Sequence, residues 1–209
     1  MSPLFIKICG ITTLDDARAA VKGGADALGF NFYPASKRYI APGRAAEIIK
    51  EMPAEVSRVG VFVDPSKEYV TAAIQETGIN VLQFSGNEAP LDVSGFGLPV
   101  IKAIHIAGMR SIEEMKLYAV DSYLLDAFSS SEFGGTGQRF DWAIAERAKQ
   151  FGRIIVAGGL TPENVMDAVR KVRPYGVDVS SGVEIRPGVK DHQKMIDFIR
   201  QAREAHSLG

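Results

Sequence analysis

The 209-residue sequence has a single cysteine, Cys9, so an intrachain disulfide is excluded and a thiolate zinc cluster cannot be built. Histidine is scarce too. Only His105, His192 and His206 are present, and the last two fall in one C-terminal helical stretch, so convergent metal ligands are missing. No metal and no cofactor are expected, and His105 reads as a local hydrogen-bonding residue. No stretch approaches the ~18 apolar residues that a membrane span requires. Met1-Ser2-Pro3-Leu4-Phe5-Ile6-Lys7 lacks a charged segment leading into a long apolar one, which points to the cytoplasm. Charge of one sign is lacking as well: Lys plus Arg is 24 against 25 for Asp plus Glu, a net charge of −1. Binding to nucleic acid or to a membrane surface is therefore not expected.

What is present is 46% hydrophobic, 23% charged and 9% aromatic residues, an ordinary globular composition. Glycine stands out, with 21 residues against the roughly 7% of average usage. Short β-branched runs alternate with amphipathic stretches along the whole chain. The expected strands are Leu4 to Ile8, Ala27 to Phe32, Ser57 to Val63, Asn80 to Phe84, Val100 to His105, Ser122 to Asp126, Arg153 to Ala157 and Gly176 to Ser180. Their near-continuous apolarity suits a parallel sheet covered on both faces. Helix starts are marked by Thr13 with Asp16, Ser111 with Glu114, and Thr161 with Pro162, and Gly23-Gly24 closes the first helix. A last helix spans about Asp191 to Glu204. The stretch from Gly86 to Gly97 is too rich in Gly and Pro for a long helix, so the fourth helix should be shortened or missing. About eight such units with no composition break fit an α/β fold of the (β/α)8 TIM-barrel type, one domain over residues 1–209. The competitor is a doubly wound open sheet. Cys9-Gly10-Ile11-Thr12 lacks the dinucleotide fingerprint that usually follows its first strand.

In a barrel the chemistry gathers at the C-terminal ends of the strands. Those ends read Cys9, Asn31, Asp64, Gln83, His105, Asp126, Gly158-Gly159, and Asp178 with Ser180-Ser181. Gly158, Gly159, Ser180, Ser181 and Gly182 follow the last two strands, where glycines and a short helix start let an anion meet backbone N–H groups. A phosphorylated small molecule is the expected ligand. Phe133-Gly134-Gly135-Thr136-Gly137-Gln138-Arg139-Phe140 has the length and glycines of a substrate cover, with Gly135 and Thr136 as binding candidates. Backbone N–H groups near Cys9 favour a thiolate, which makes a workable base. Asp126 in an apolar mouth would hold a proton and act as an acid. Lys7 points to the same side of its strand as Cys9 and needs a partner, which Asp178 on the neighbouring last strand can supply as a supporting pair. The Arg38 guanidinium suits a substrate carboxylate in a way that Lys37 does not.

Several segments together resemble the phosphoribosylanthranilate isomerase family of tryptophan biosynthesis. They are Lys7-Ile8-Cys9-Gly10-Ile11-Thr12, Gly29-Phe30-Asn31-Phe32-Tyr33-Pro34 with Ser36-Lys37-Arg38-Tyr39-Ile40, Leu125-Asp126, Gly134-Gly135-Thr136-Gly137 with Phe140-Asp141-Trp142, Ala157-Gly158-Gly159-Leu160, and Asp178-Val179-Ser180-Ser181-Gly182-Val183-Glu184 with Pro187-Gly188 and Lys190-Asp191. The resemblance spans nearly the whole chain. It implies an intramolecular oxidoreductase, an aldose-ketose type isomerase, acting on N-(5-phosphoribosyl)anthranilate by an Amadori rearrangement, the third step from chorismate. It further implies Asp126 as the acid that opens the ribose ring, Cys9 as the base at C2, Arg38 on the anthranilate carboxylate, and the two glycine loops on the phosphate. A monomer or a homodimer is compatible with it. One departure stands out: the family pattern Gln-Leu-His-Gly reads Gln83-Phe84-Ser85-Gly86 here, which puts the fourth loop's contacts in question.

Two rivals remain at this stage. A related phosphosugar isomerase of histidine biosynthesis would resemble a barrel with a pair of aspartates as acid and base, which Cys9 argues against. A non-catalytic phosphate-ligand binding barrel would keep the glycine loops without needing Cys9, Asp126 and Arg38 together.

Overall fold

Apolar, β-branched runs at regular intervals form eight parallel strands that close on themselves. In order they are β1 (Phe5–Cys9), β2 (Ala27–Asn31), β3 (Ser57–Phe62), β4 (Val81–Phe84), β5 (Val100–Ile106), β6 (Ser122–Ala127), β7 (Ile154–Ala157) and β8 (Gly176–Val179). Pairing of β8 with β1, with Lys7 opposite Asp178, closes the ring. The structure is a computed structural model and describes residues 3–127 and 142–208. The expected cover from Phe133 to Phe140, with Gly135 and Thr136, lies outside the described residues.

Several helices start where polar side chains take up free N–H groups. Thr13 Oγ1 accepts from the Asp16 N–H at 3.1 Å at the head of α1 (Leu14–Gly23), which ends at a left-handed Gly24. After α2 (Pro42–Lys50), Ser66 Oγ accepts from the Tyr69 N–H at 3.2 Å to start α3 (Lys67–Thr77). α4 covers Trp142–Ala148. Asn164 Oδ1 accepts from the Thr161 N–H at 2.8 Å at the start of α5 (Pro162–Val172). Asp191 caps α6 (His192–Ser207) through the Lys194 N–H at 3.1 Å. A hairpin of β9 (Glu184–Arg186) and β10 (Val189–Lys190) precedes α6.

Strand alternation sorts the apolar side chains into two cores. Leu28, Phe30, Leu82, Leu125, Val156 and their like fill the layer between sheet and helices. Ala27, Val59, Val61, Ile101, Ala103, Leu124, Ile155 and Ala157 fill the barrel interior. The interior residues are mostly small or β-branched, so the upper end of the ring keeps room for a ligand.

The fourth unit has no helix: residues 85–99 form turns and bends between β4 and β5. Lys102 on β5 points outward, into the layer that a helix would cover, and its charge meets Glu88 Oε2 at 2.8 Å and the Gly86 carbonyl at 2.8 Å. Glu88 Oε1 also accepts from the Asp64 N–H at 3.0 Å, Asp64 Oδ1 accepts from the Asn87 N–H at 2.6 Å, and the Tyr118 hydroxyl donates to the Glu88 carbonyl at 2.9 Å. A buried ion pair with its hydrogen bonds thus stands in for the missing helix. The fifth unit differs from expectation as well. In place of an α-helix started at Ser111, a 3-10 segment runs Met109–Leu117 and begins after Gly108. Ser111 Oγ accepts from the Ala107 N–H at 3.0 Å and so ties the strand end instead of capping a helix.

Candidate functional site

Every second residue of a strand faces the interior, and near the C-terminal end this alternation decides what the mouth contains. Cys9, Asn31, Gln83, His105, Asp126 and Asp178 all line one cavity of about 340 Å³, within the range of small-molecule sites. Asp64 does not. It lies one residue past the inward Val63, so its side chain turns away from the cavity and holds the fourth loop through Asn87, a one-residue offset that reverses the face. Ala157-Gly158-Gly159-Leu160 and Val179-Ser180-Ser181-Gly182 form one wall together. Gly158 and Gly159 adopt φ of +76° and +67°, which only glycine reaches without strain. A side chain on Gly182 would run into the Leu160 carbonyl, so glycine there is what lets the two loops approach each other. The helix start expected near Gly182 is a short 3-10 turn, Ser181–Val183.

Below the mouth, Lys7 Nζ donates to Asp178 Oδ1 at 2.8 Å, as the shared face of the two strands led us to expect. Lys7 is fully buried. Burial works against its charge, but the Asp178 carboxylate and the facing Cys9 sulfur outweigh it and hold the ammonium pKa above its ordinary value. On the opposite strands, burial pushes the Asp126 carboxyl pKa up; the adjacent His105 opposes that shift and Asp178 reinforces it. Asp126 therefore keeps its proton to higher pH than an exposed aspartate does.

Arg38 reaches the cavity from the loop after β2, half-buried rather than free in solvent. Its Nε donates to both carboxylate oxygens of Glu184, at 2.8 and 3.1 Å, and one terminal nitrogen donates to Oε2 at 2.7 Å. Glu184 Oε1 also accepts from Lys190 Nζ at 2.9 Å, and Lys190 Nζ reaches the Cys9 carbonyl at 2.5 Å and the Ser180 carbonyl at 3.3 Å. Burial alone would raise the Glu184 pKa, but the hydrogen bonds from Arg38 and Lys190 prevail and hold it low. The β9–β10 hairpin thereby fixes the backbone of β1 and β8 and the orientation of Arg38 in one network.

A family model described as N-(5'phosphoribosyl)anthranilate (PRA) isomerase matches residues 6–201. The chain belongs to that isomerase family. The N-(5'-phosphoribosyl)anthranilate isomerase of Geobacter sp. (strain M21) is 49% identical over 199 residues, covering 95% of this chain and 98% of its own. The one of Geotalea uraniireducens (strain Rf4) is 50% identical over 198 residues, with the same coverage. Among solved structures, phosphoribosyl anthranilate isomerase from Thermotoga maritima superposes with a TM-score of 0.89 at 40% identity, over 96% of this chain and 99% of that one. A phosphoribosyl anthranilate isomerase in complex with reduced 1-(o-carboxyphenylamino)-1-deoxyribulose 5-phosphate superposes with a TM-score of 0.86 at 39% identity, with the same coverage.

Within this isomerase family the chain's departure at Ser85 has a structural counterpart: Ser85 Oγ lines the cavity and accepts from Gln83 Nε2 at 3.1 Å. Sequence reasoning quoted Glu184 and Lys190 as parts of a motif and gave them no task. A buried lysine needs a carboxylate, the argument applied to Lys7, but nothing in the sequence marked Lys190 as buried, and Glu184 lies in the adjoining loop. His192, set aside as a metal ligand, contacts Asp16 Oδ1 through Nε2 at 2.8 Å, away from the mouth.

Proposed function

We propose that the protein converts N-(5'-phosphoribosyl)anthranilate to 1-(2-carboxyphenylamino)-1-deoxyribulose 5-phosphate, a step of tryptophan biosynthesis. The observation that carries this reading is the placement of Cys9 and Asp126, whose carboxyl pKa burial raises, on one cavity in a member of this family. Asp126 gives its proton to the ring oxygen as the C1–O bond breaks, and the anilino nitrogen lone pair forms the C1=N bond of a Schiff base. Cys9, as thiolate, then removes the proton from C2. The C2–H electron pair moves into a C1=C2 bond and the C=N electrons return to nitrogen, giving an enolamine. A proton is regained at C1 while the C2 hydroxyl releases its own, and the ketone results. No electron acceptor enters the balance, since C1 is reduced as C2 is oxidised.

The ends of this substrate are anionic, and the net charge of −1 leaves local groups to hold them. Arg38 holds the anthranilate carboxylate with the guanidinium edge that Glu184 does not take. The wall of Gly158, Gly159, Ser180, Ser181 and Gly182 holds the phosphate. Ser180 Oγ supports that assignment, because it is buried in this wall with no hydrogen-bond partner among the described residues.

The deciding experiment is turnover of phosphoribosylanthranilate by the purified protein in the presence of a chelator. Undiminished turnover with chelator is expected; no turnover of this substrate sinks the reading. Arg38→Ala should raise KM at least tenfold, with a smaller effect on kcat, because the carboxylate is bound in both ground and transition states. Unchanged KM and kcat would remove Arg38 from the substrate.

A further inference from the structure

On the β4 side of the mouth lies a polar group that the acid and base do not use. Gln83 is 4% exposed and lines the cavity. One end of its amide, Nε2, is tied to Ser85 Oγ at 3.1 Å, while the other end, Oε1, is buried without a hydrogen-bond partner among the described residues. Buried amide atoms are almost always paired, because an unpaired one forfeits its hydration without return. Its neighbours in the ring offer nothing: Gln83 stands level with Val61 on β3 and Ile101 on β5, both apolar. Among the described residues the free amide end has no partner, and the cavity that Gln83 lines is where a ligand can supply one.

The chemistry of that partner follows from what the other walls take. Arg38 and the glycine loops meet the charged ends of a sugar phosphate, and a neutral amide is a poor counter-charge. A hydroxyl is different, since it donates to an amide oxygen and accepts from an amide NH2, and so satisfies Gln83 whichever way the amide is turned. Ser85 has the same two-way capacity and holds the amide plane in either orientation.

We propose that Gln83, oriented by Ser85, forms a subsite for a hydroxyl group on the sugar carbon chain of the ligand, and so discriminates hydroxylated sugar phosphates from their deoxy analogues. The inference rests on the isomerase reading above for the class of ligand. Gln83 touches the hydroxyl; Ser85 acts through Gln83 and is a positioning residue.

The test is calorimetric titration with reduced 1-(o-carboxyphenylamino)-1-deoxyribulose 5-phosphate, with inorganic phosphate titrated as a control. Gln83→Met keeps the length of the side chain and removes its hydrogen bonding. It should weaken analogue binding at least tenfold and leave phosphate binding within twofold. Ser85→Ala should weaken the analogue severalfold in the same pattern, and it carries the test if Gln83→Met does not fold. An analogue lacking the C2, C3 and C4 hydroxyls should bind wild type and Gln83→Met equally, and a tenfold preference for wild type there would overturn the subsite. Analogue affinity within twofold of wild type in both variants overturns the subsite. Equal losses for analogue and phosphate overturn it too, because they report a general disturbance of the mouth. Failure of wild type to bind the analogue at all instead overturns the isomerase reading, and the subsite with it.

Discussion

Cys9→Ala and Asp126→Asn should each lower kcat by roughly 10²–10⁴-fold, the range that a positioned acid or base contributes. The two losses will not add in the double variant if both groups serve one proton-transfer sequence. Steady-state assays on folded variants decide this, and near wild-type turnover in either one removes that residue from the mechanism. The pH profile gives a second reading. Asp126 works in its protonated form, and its raised pKa means that kcat/KM falls as pH climbs through a value above the ordinary ~3.9 of an aspartate. Stability follows the same group. A carboxyl that holds its proton more tightly when folded contributes fully below its unfolded pKa and loses that contribution as pH rises through the folded one. Asp126→Asn should therefore melt higher than wild type at neutral pH, with the gain disappearing near pH 3. A gain that persists there would show that charge burial at Asp126 is not its source.

Lys102→Met should cost about 3–5 kcal/mol of stability, the usual loss when one partner of a buried ion pair is removed. Lys102 and Glu88 side chains are 3% and 1% exposed, so Glu88 would be left charged in a layer without water. Adding Glu88→Leu should restore only part of the loss, because the Asp64 and Gly86 N–H groups would then be without their acceptor. Urea denaturation of the two variants measures both numbers, and a loss below about 1 kcal/mol for Lys102→Met would mean that solvent reaches the pair.

The barrel was legible because its signals are local. Apolar runs and side chains such as Thr13 and Thr161 act within a few residues of themselves, and each marks the element it precedes. The inward alternation that put Lys7 against Asp178 is also a property of single strands, needing only the closed order to complete it. Asp64 was misplaced because its strand's inward phase is set by Val59 and Val61, and the residue after an inward Val63 points out. Ser111 was misread because a serine's hydroxyl satisfies a strand-end N–H as readily as a helix start, and a pattern of residue types does not say which is nearer. The absence of a fourth helix could be read from its glycines and prolines, but what replaced it could not. Lys102 on β5 and Glu88 in the preceding loop are fourteen positions apart, the loop has no periodicity, and neither residue announces burial. Arg38 and Glu184 are farther still, 146 positions apart, and only the closed ring brings them together.

The clamp around Glu88 bears on binding through entropy. Glu88 takes the N–H groups of Asp64 and Gly86 while Lys102 holds its other oxygen, so the backbone on both sides of Ser85 is fixed by groups outside the cavity. A wall ordered before the ligand arrives does not draw on the ligand's binding free energy to become ordered. The segment with the weakest helix-forming sequence in the chain thus becomes a preorganised surface, and loosening Lys102 should raise the entropic cost of association while leaving every ligand contact in place.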